Sequence, residues 1–204
     1  MHYRWNIATV LLAGLAAAAV AESVHHPPGD PASPAGSVGA KEHVSHSAMP
    51  GLESLSNEEF EVAFMSMMVA HHQGAVAMAD WVLERGDDPD VMAAAQAVKK
   101  AQVPEIEQMT SWLREWYDSG VDVTWADMMT DDMRGVSGTL QEGTDADLAF
   151  LAAMIHHHQG AIDMAQVALE NAEHQELRDI ARDIILTQVE EVHQYQTWLV
   201  QVGE

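Results

Sequence analysis

One segment of this 204-residue chain occurs twice, and this duplication constrains the fold more than any other feature of the sequence. Residues 64–113 recur without a gap as residues 150–199, at a constant offset of 86. About a third of the paired positions are identical, against roughly one in twenty expected by chance. The chain therefore contains two copies of one supersecondary unit.

A group of histidines and methionines is the most faithfully repeated part of the unit. In the first copy, Met68 is followed by His71, His72 and Met78, with Gln-Gly-Ala directly after the histidine pair. Both copies continue with Gln-x-x-Glu and then Trp-Leu. Because the retained side chains are mostly potential metal ligands, the repeat indicates metal handling. The second copy of the group is Met154, His157, His158 and Met164.

Capping and stop signals predict two helices in each copy. Ser56 and Glu59 form a Ser-x-x-Glu capping box, and the helix that it opens should stop near Gly86. Pro104 lies inside the second helix and predicts a kink there, because proline removes a backbone donor. The four predicted helices span about residues 56–84, 89–117, 145–171 and 175–202.

Four helices in two hairpins predict an all-α fold, a four-helix bundle with a pseudo-two-fold axis between the hairpins. We expect one domain at residues 56–204. It divides into repeat one (56–118), a glycine-containing connector (119–144) and repeat two (145–204). The connector holds Met128, Met129 and Met133, which could either contact metal or fill gaps in the core.

The N-terminus predicts export. Arg4, an apolar run over residues 7–20 and the small residues before Glu22 match a secretory signal at residues 1–21. The run is too short for a comfortable membrane span, and no later segment is apolar enough for one. We therefore expect a periplasmic or extracellular protein with no membrane span after cleavage.

Residues 22–55 are rich in Pro, Gly, Ser, Ala and His and predict a flexible leader. The leader carries His43, His46 and Met49, which could capture metal loosely. The same residues could equally be incidental in a solvated linker, because nothing in so flexible a segment fixes ligand geometry.

Charge and cysteine content exclude several classes of protein. The formal net charge is −23, from 32 acidic and 9 basic residues. Nucleic acids and anionic membrane surfaces are therefore not expected as partners, because both require basic patches. The chain has no Cys, so any soft metal must be held by Met and His.

Helical spacing gathers the candidate ligands on inward faces. Met68 and His72 fall in one narrow stripe, with His71 and Met78 at its edge, and the second repeat copies this pattern. The second helix of each hairpin adds a face with Gln, Glu and Trp. The candidate metal ligands are Met68, His71, His72, Met78, Glu105, Met109, Met154, His157, His158, Met164 and Glu191, with Met65 as a weaker candidate beside the connector and leader residues.

These ligand types favour copper. Thioether sulfur suits Cu(I), imidazole suits both Cu(I) and Cu(II), and Ag(I) is a possible mimic. Gly74 and Gly160 lie mid-helix, where each costs about 1 kcal/mol relative to Ala, so their repetition suggests a close backbone approach. Mutual pairing of His with Glu in a purely structural polar core is the alternative explanation.

The doubled His-His-Gln-Gly-Ala-x-x-Met-Ala block, with Gln-x-x-Glu and a terminal Trp-Leu, resembles a bacterial family of unknown function numbered 305. The resemblance covers about residues 56–202 and implies an exported, ferritin-like four-helix bundle with copper-binding members. It implies ligand roles for the repeated Met and His residues. The sequence departs from a symmetric pattern at Tyr195, which stands where the first repeat has Met109, so the two half-sites could bind unequally.

Three functions remain open from the sequence. The first is a copper-binding protein that buffers or transfers Cu(I) or Cu(II) outside the cytoplasm without turnover, with a possible exported protein as donor or acceptor. The second is a ferritin-like di-metal oxidase, whose usual Glu-x-x-His signature is replaced here by Met68-x-x-His71 and Met154-x-x-His157. The third is a metal-free helical interaction module. The oligomeric state is left open.

Overall fold

A computed structural model describes residues 51–137, 140 and 145–202 of the chain. The predicted signal peptide and nearly all of the predicted leader, including His43, His46 and Met49, lie outside these residues. The described part contains a 3-10 turn at Leu52–Ser54 and no β-strand. Its five helices are α1 (Asn57–Arg85), α2 (Pro89–Tyr117), α3 (Val123–Ser137), α4 (Ala146–Asn171) and α5 (Gln175–Val202).

The protein is all-α, and its four long helices form the predicted ferritin-like bundle of two hairpins. Helix α1 packs against α2, and α4 packs against α5. The hairpins meet mainly through α1 and α4, which therefore lie at the centre of the bundle. Helix α2 runs through Pro104 as one continuous helix.

Two of the helix starts are capped by aspartate side chains. The carboxylate of Asp88 accepts the backbone N–H groups of Asp90 at 2.8 Å and Val91 at 3.2 Å, ahead of Pro89 at the first helical position. Asp145 accepts the N–H of Leu148 at 3.0 Å in the same way. These bonds satisfy donors that a helix N-terminus otherwise leaves unpaired.

The predicted capping box at the start of α1 does not form. Ser56 is the residue before the helix, but its side chain makes no capping hydrogen bond. Asn57 has a φ of 57°, in the left-handed region, so the chain enters the helix at an angle that a regular capping box does not have. The expected start of the helix was right, and the expected capping contact was wrong.

Most of the predicted connector forms a helix that was not predicted, α3. The carboxylate of Asp122 accepts the N–H groups of Thr124 and Trp125 and starts this helix. Trp125, Met129 and Met133 recur every four residues and pack as one stripe against the core beside α1. Burial of that apolar stripe stabilises α3, although the glycines around it are more typical of irregular structure.

A reciprocal pair of carboxylates relates the hairpins. Glu61 on α1 accepts the backbone N–H groups of Glu173 and His174, in the turn between α4 and α5. Its counterpart 86 residues later, Asp147 on α4, accepts the N–H groups of residues 87 and 88 in the turn between α1 and α2. Each hairpin thus binds the turn of the other, which confirms the predicted pseudo-two-fold symmetry.

No helix in the described ranges is both long enough and apolar enough to cross a membrane.

Candidate metal centre

Four buried imidazoles form a layer where α1 and α4 cross. His71, His72, His157 and His158 are each at most 1% exposed. The rings of His71 and His157 lie with centroids 3.7 Å apart, and Nε2 of His157 lies 2.9 Å from the backbone oxygen of His71, to which it donates. The predicted inward direction of all four histidines is therefore what the structure has.

The mid-helix glycines make room for these rings. A Cβ atom at Gly74 would lie 3.3 Å from Nε2 of His157, and a Cβ at Gly160 would lie 3.3 Å from Nε2 of His71. Each glycine therefore faces the histidine of the other repeat. The predicted close approach occurs between a backbone and an imidazole.

The outer histidines face the two glutamates that were predicted to point inward. Nε2 of His72 lies 2.6 Å from Oε2 of Glu105 in a hydrogen bond. Nε2 of His158 lies 2.7 Å from Oε2 of Glu191, an ion-pair distance without the alignment of a hydrogen bond. Both carboxylates remain partly exposed, at 22% and 18%. The arrangement agrees in part with the alternative of a structural polar core.

Glutamate pairing nevertheless leaves most of the imidazole nitrogens without a partner. Among the described residues, Nδ1 of all four histidines and Nε2 of His71 have no hydrogen-bond partner. A buried polar atom without a partner costs about 1–3 kcal/mol. A purely structural core would satisfy these atoms, so they mark the layer as a candidate ligand site.

Burial keeps the inner histidines neutral. The pKa of His71 is well below its ordinary value because of burial and of repulsion from His157, His72 and His158. The pKa of His157 is also well below its ordinary value, through burial and repulsion from His158 and His72. Neutral imidazole is the form that binds metal ions.

The predicted methionine ligands fall into two buried groups, one on each side of the histidine layer. We call the first group, Met68, Met109 and Met164, the methionine-rich half. The second group, Met78, Met154 and Tyr195, is the tyrosine half. Each half combines residues from both repeats, because α1 and α4 run antiparallel. All of these side chains are at most 3% exposed.

Tyr195 changes the chemistry of its half. Its ring centroid lies 5.9 Å from that of His158. Burial, together with the charge of Glu191, raises the pKa of Tyr195, so the phenol stays neutral. The tyrosine half therefore offers two thioethers where the methionine-rich half offers three.

The weaker methionine candidates divide by position. Met65 is fully buried in the same core cluster as the methionine-rich half. Met129 is also fully buried there, and Met133 packs against it, whereas Met128 is 39% exposed. The connector therefore adds methionines to one side of the histidine layer and not to the other.

No group of three or more His, Asp or Glu side chains in the described ranges is arranged to hold a metal ion. Thioether sulfur, a ligand for soft metal ions, lies on both sides of the layer.

Several buried polar residues of the bundle were not predicted as site residues. Glu61 is fully buried and also accepts a hydrogen bond from the hydroxyl of Tyr117. Asp147 is its counterpart, and extending the offset of 86 three residues upstream would have found the pair. Gln102 and Gln188 are buried with Oε1 unpartnered among the described residues, and the sequence pattern had placed both on inward faces.

Comparison with known proteins agrees with this architecture. The family model described as "Domain of unknown function (DUF305)" matches residues 18–113 and 61–199. The search of curated proteins finds no match.

Solved structures resemble the chain over most of its length. CopM in the Cu(II)-bound form is 29% identical, with a TM-score of 0.61, and the match covers 69% of this chain and 96% of CopM. CopM in the Cu(I)-bound form is 28% identical, with the same TM-score and coverage of 71% and 98%. A DUF305 protein from Streptomyces coelicolor, described as a candidate secreted protein, is 28% identical, with a TM-score of 0.59 and coverage of 70% and 93%.

Proposed function

Because the chain belongs to the DUF305 family, we propose that it is an exported protein that binds copper and buffers or transfers it outside the cytoplasm, without catalysing a reaction. The likeness to CopM, solved in Cu(I)-, Cu(II)- and Ag-bound forms, supports a copper-related role. The likeness to a candidate secreted protein supports export.

The observation that carries this proposal is the set of unpartnered nitrogens in the histidine layer. His72 and His158 each have a carboxylate neighbour, but Nδ1 of His71 and of His157 has no partner among the described residues. These neutral lone pairs lie in an apolar interior between two groups of thioethers. Imidazole and thioether together favour Cu(I), and they accept Ag(I) for the same reason.

The carboxylate neighbours fit a supporting role. A histidine that binds metal through one ring nitrogen commonly pairs its other nitrogen with a carboxylate, which fixes the ring and its tautomer. Glu105 occupies Nε2 of His72 and leaves Nδ1 free. In this proposal Glu105 and Glu191 orient the outer histidines, and copper binding uses the remaining nitrogens.

The two halves would differ in their affinity for Cu(I). Three thioethers make the methionine-rich half the softer ligand set, so we assign it the tighter Cu(I) site. Tyr195 leaves the other half with two thioethers, which predicts weaker Cu(I) binding there.

Replacing four histidines together tests the proposal. We expect the combined change of His71, His72, His157 and His158 to Ala to abolish tight copper binding while the helical circular dichroism spectrum persists. A matched control replaces the exposed His156 and His193 with Ala, which should leave copper affinity unchanged. Wild-type affinity in the quadruple variant would refute the site.

A further inference from the structure

Another histidine lies at the methionine-rich end of the bundle, outside the buried layer. His174 stands in the turn between α4 and α5, and its side chain is 36% exposed. Its Nδ1 lies 2.6 Å from Oε2 of Glu61. The ring stacks on that of Trp116, with centroids 3.9 Å apart and planes 4° from parallel. An exposed imidazole is thus held in one orientation by a carboxylate and an aromatic ring.

Glu61 is a rigid anchor for this imidazole. The carboxylate is fully buried and accepts the N–H groups of Glu173 at 2.6 Å and His174 at 2.8 Å, together with the hydroxyl of Tyr117. With Nδ1–H donated to Glu61, Nε2 is the ring nitrogen of His174 that can offer a lone pair. No residue in the described ranges bonds to that nitrogen. A metal-binding histidine commonly has this arrangement, with one ring nitrogen paired to a carboxylate and the other open to the metal.

Aromatic residues connect His174 to the methionine-rich half. Trp116 stacks on Trp112 with ring centroids 4.8 Å apart. Both tryptophans and Tyr117 pack against the core cluster that contains Met68, Met109 and Met164. A cation at Nε2 of His174 would therefore stand at the surface of the same core cluster, at the end of the bundle that contains the softer ligand set.

The opposite end of the bundle lacks this arrangement. At the offset of 86, Asp88 occupies the position of His174, and Asp147 occupies that of Glu61. Asp88 caps α2 and presents no imidazole. The exposed histidine therefore occurs at the methionine-rich end and is not a by-product of the duplication.

Several acidic side chains lie beside the turn, together with the cation Arg178, whose guanidinium donates to the backbone oxygens of Ala172 and Glu173. Burial, the hydrogen bond to Glu61 and the charges of Glu61, Glu58 and Glu173 all raise the pKa of Tyr117. The chain as a whole has a net charge of −23. Such a field raises the local concentration of cations and their rate of association.

We propose that Nε2 of His174 is the entry ligand at which Cu(I) or Ag(I) first binds before it passes to the methionine-rich half, with Glu61 as the positioning residue. This inference rests on the proposed function, because it assigns one end of the bundle as the route to the copper site.

Loading kinetics test the proposal. Cu(I) is supplied to the full-length protein without oxygen as its complex with bicinchoninate, and the loss of the complex's colour is followed over time. His174→Gln keeps a donor for Glu61 but removes the imidazole. We expect it to slow loading by roughly an order of magnitude while the amount of copper finally bound stays the same. The control His193→Gln, which removes an exposed histidine from α5, should load at the wild-type rate.

Each other outcome contradicts the entry role in a different way. An unchanged rate in His174→Gln would overturn the inference and leave the proposed function standing. A loss of final copper would make His174 part of the storage site instead. Failure of the wild-type protein to take up copper would overturn both.

A second measurement needs no variant. In the wild-type protein whose buried sites are already filled with Ag(I), further Ag(I) should shift the ¹⁵N resonance of His174 Nε2, because the entry ligand can then no longer pass the ion to a tighter site. An unperturbed His174 in the presence of this excess Ag(I) would contradict the inference.

Discussion

The imidazole rings of His71 and His157 lie with centroids 3.7 Å apart at the crossing of α1 and α4, although 86 residues separate them in the chain. They occupy equivalent positions of the two repeats, so their contact lies on the pseudo-two-fold axis. The His72–Glu105 and His158–Glu191 pairs are arranged around this contact as equivalents of each other. Its two sides are nevertheless unequal, because His157 donates a well-aligned hydrogen bond to the backbone oxygen of His71, whereas the contact of His71 with the backbone of His157 does not reach hydrogen-bond geometry.

This inequality predicts different effects of alanine at the two mid-helix glycines. Both substitutions gain about 1 kcal/mol of helix propensity. Gly160→Ala should be neutral or stabilising, because no well-aligned hydrogen bond holds the ring of His71 against the new methyl group. Gly74→Ala should be destabilising by about 1–2 kcal/mol relative to Gly160→Ala, because the hydrogen bond of His157 holds its ring in place. Denaturant unfolding of the metal-free variants measures the difference, and equal stabilities would refute the asymmetry.

The fold was largely predictable because the helix signals are local and occur twice. Asp88 with Pro89 and Asp145 open helices where the sequence places them. Helix α3 was missed because its glycine-containing surroundings indicate irregular chain, whereas burial of its stripe against α1 stabilises it. That burial depends on tertiary structure, which the local sequence does not contain.

The site was predictable as a set of faces but not as contacts. Helical periodicity correctly turned His71 and His72 inward. It could not show that Met68 and Met164 share one side of the layer, since that depends on the antiparallel crossing of α1 and α4. His174 was missed because its partners come from α1 and α2, far away in sequence.

The difference between the two halves predicts the effect of exchanging Tyr195. Tyr195→Met would supply a third thioether to the tyrosine half, so we expect tighter binding of a second Cu(I) ion.

Met109→Leu removes a thioether from the methionine-rich half and should weaken the tightest site. Met67→Leu is the matched control, because Met67 is equally buried in the same cluster but is not a candidate ligand. Chelator competition measures all three, and equal losses in Met109→Leu and Met67→Leu would show that methionine acts only in packing.

Glu61 predicts a pH-dependent contribution to stability. Burial alone would raise the pKa of Glu61, but hydrogen bonds from Tyr117, His174 and Glu173 outweigh it and hold that pKa below its ordinary value of 4.5. A lowered pKa in the folded state means that the carboxylate stabilises the protein above pH 4.5 and that this stabilisation is lost as the pH falls through the folded-state pKa.

Glu61→Gln should therefore cost roughly 2 kcal/mol at neutral pH and progressively less as the pH falls below 4.5. Unfolding free energies of the variant and the wild type across this range measure the effect, with the exposed Glu59→Gln as control. Asp147→Asn should show the opposite pH dependence. Burial raises the pKa of Asp147, so its ionised form does not favour folding, and the cost of removing it should fall as the pH rises. A cost of Glu61→Gln that is independent of pH would contradict this account.

Removal of the leader separates loose from tight binding. We expect deletion of residues 22–50, which spares the buried Leu52, to lower the total amount of copper bound, because His43, His46 and Met49 are lost. The tightest affinity should be unchanged, since its ligands lie on the helices. Copper bound per chain and affinity are measured separately, by equilibrium dialysis and by chelator competition. Loss of the tightest site would mean that the leader supplies ligands to it.

The most direct test of the central claim is a competition titration of the purified protein with Cu(I), under reducing conditions and against a chromophoric chelator, with Zn(II) and Fe(II) in parallel. We predict saturable Cu(I) binding that withstands the chelator and exceeds the binding of either other metal. Negligible copper binding beside two tightly held iron ions would contradict the account in favour of a di-metal oxidase. The absence of any metal binding would leave a metal-free helical module.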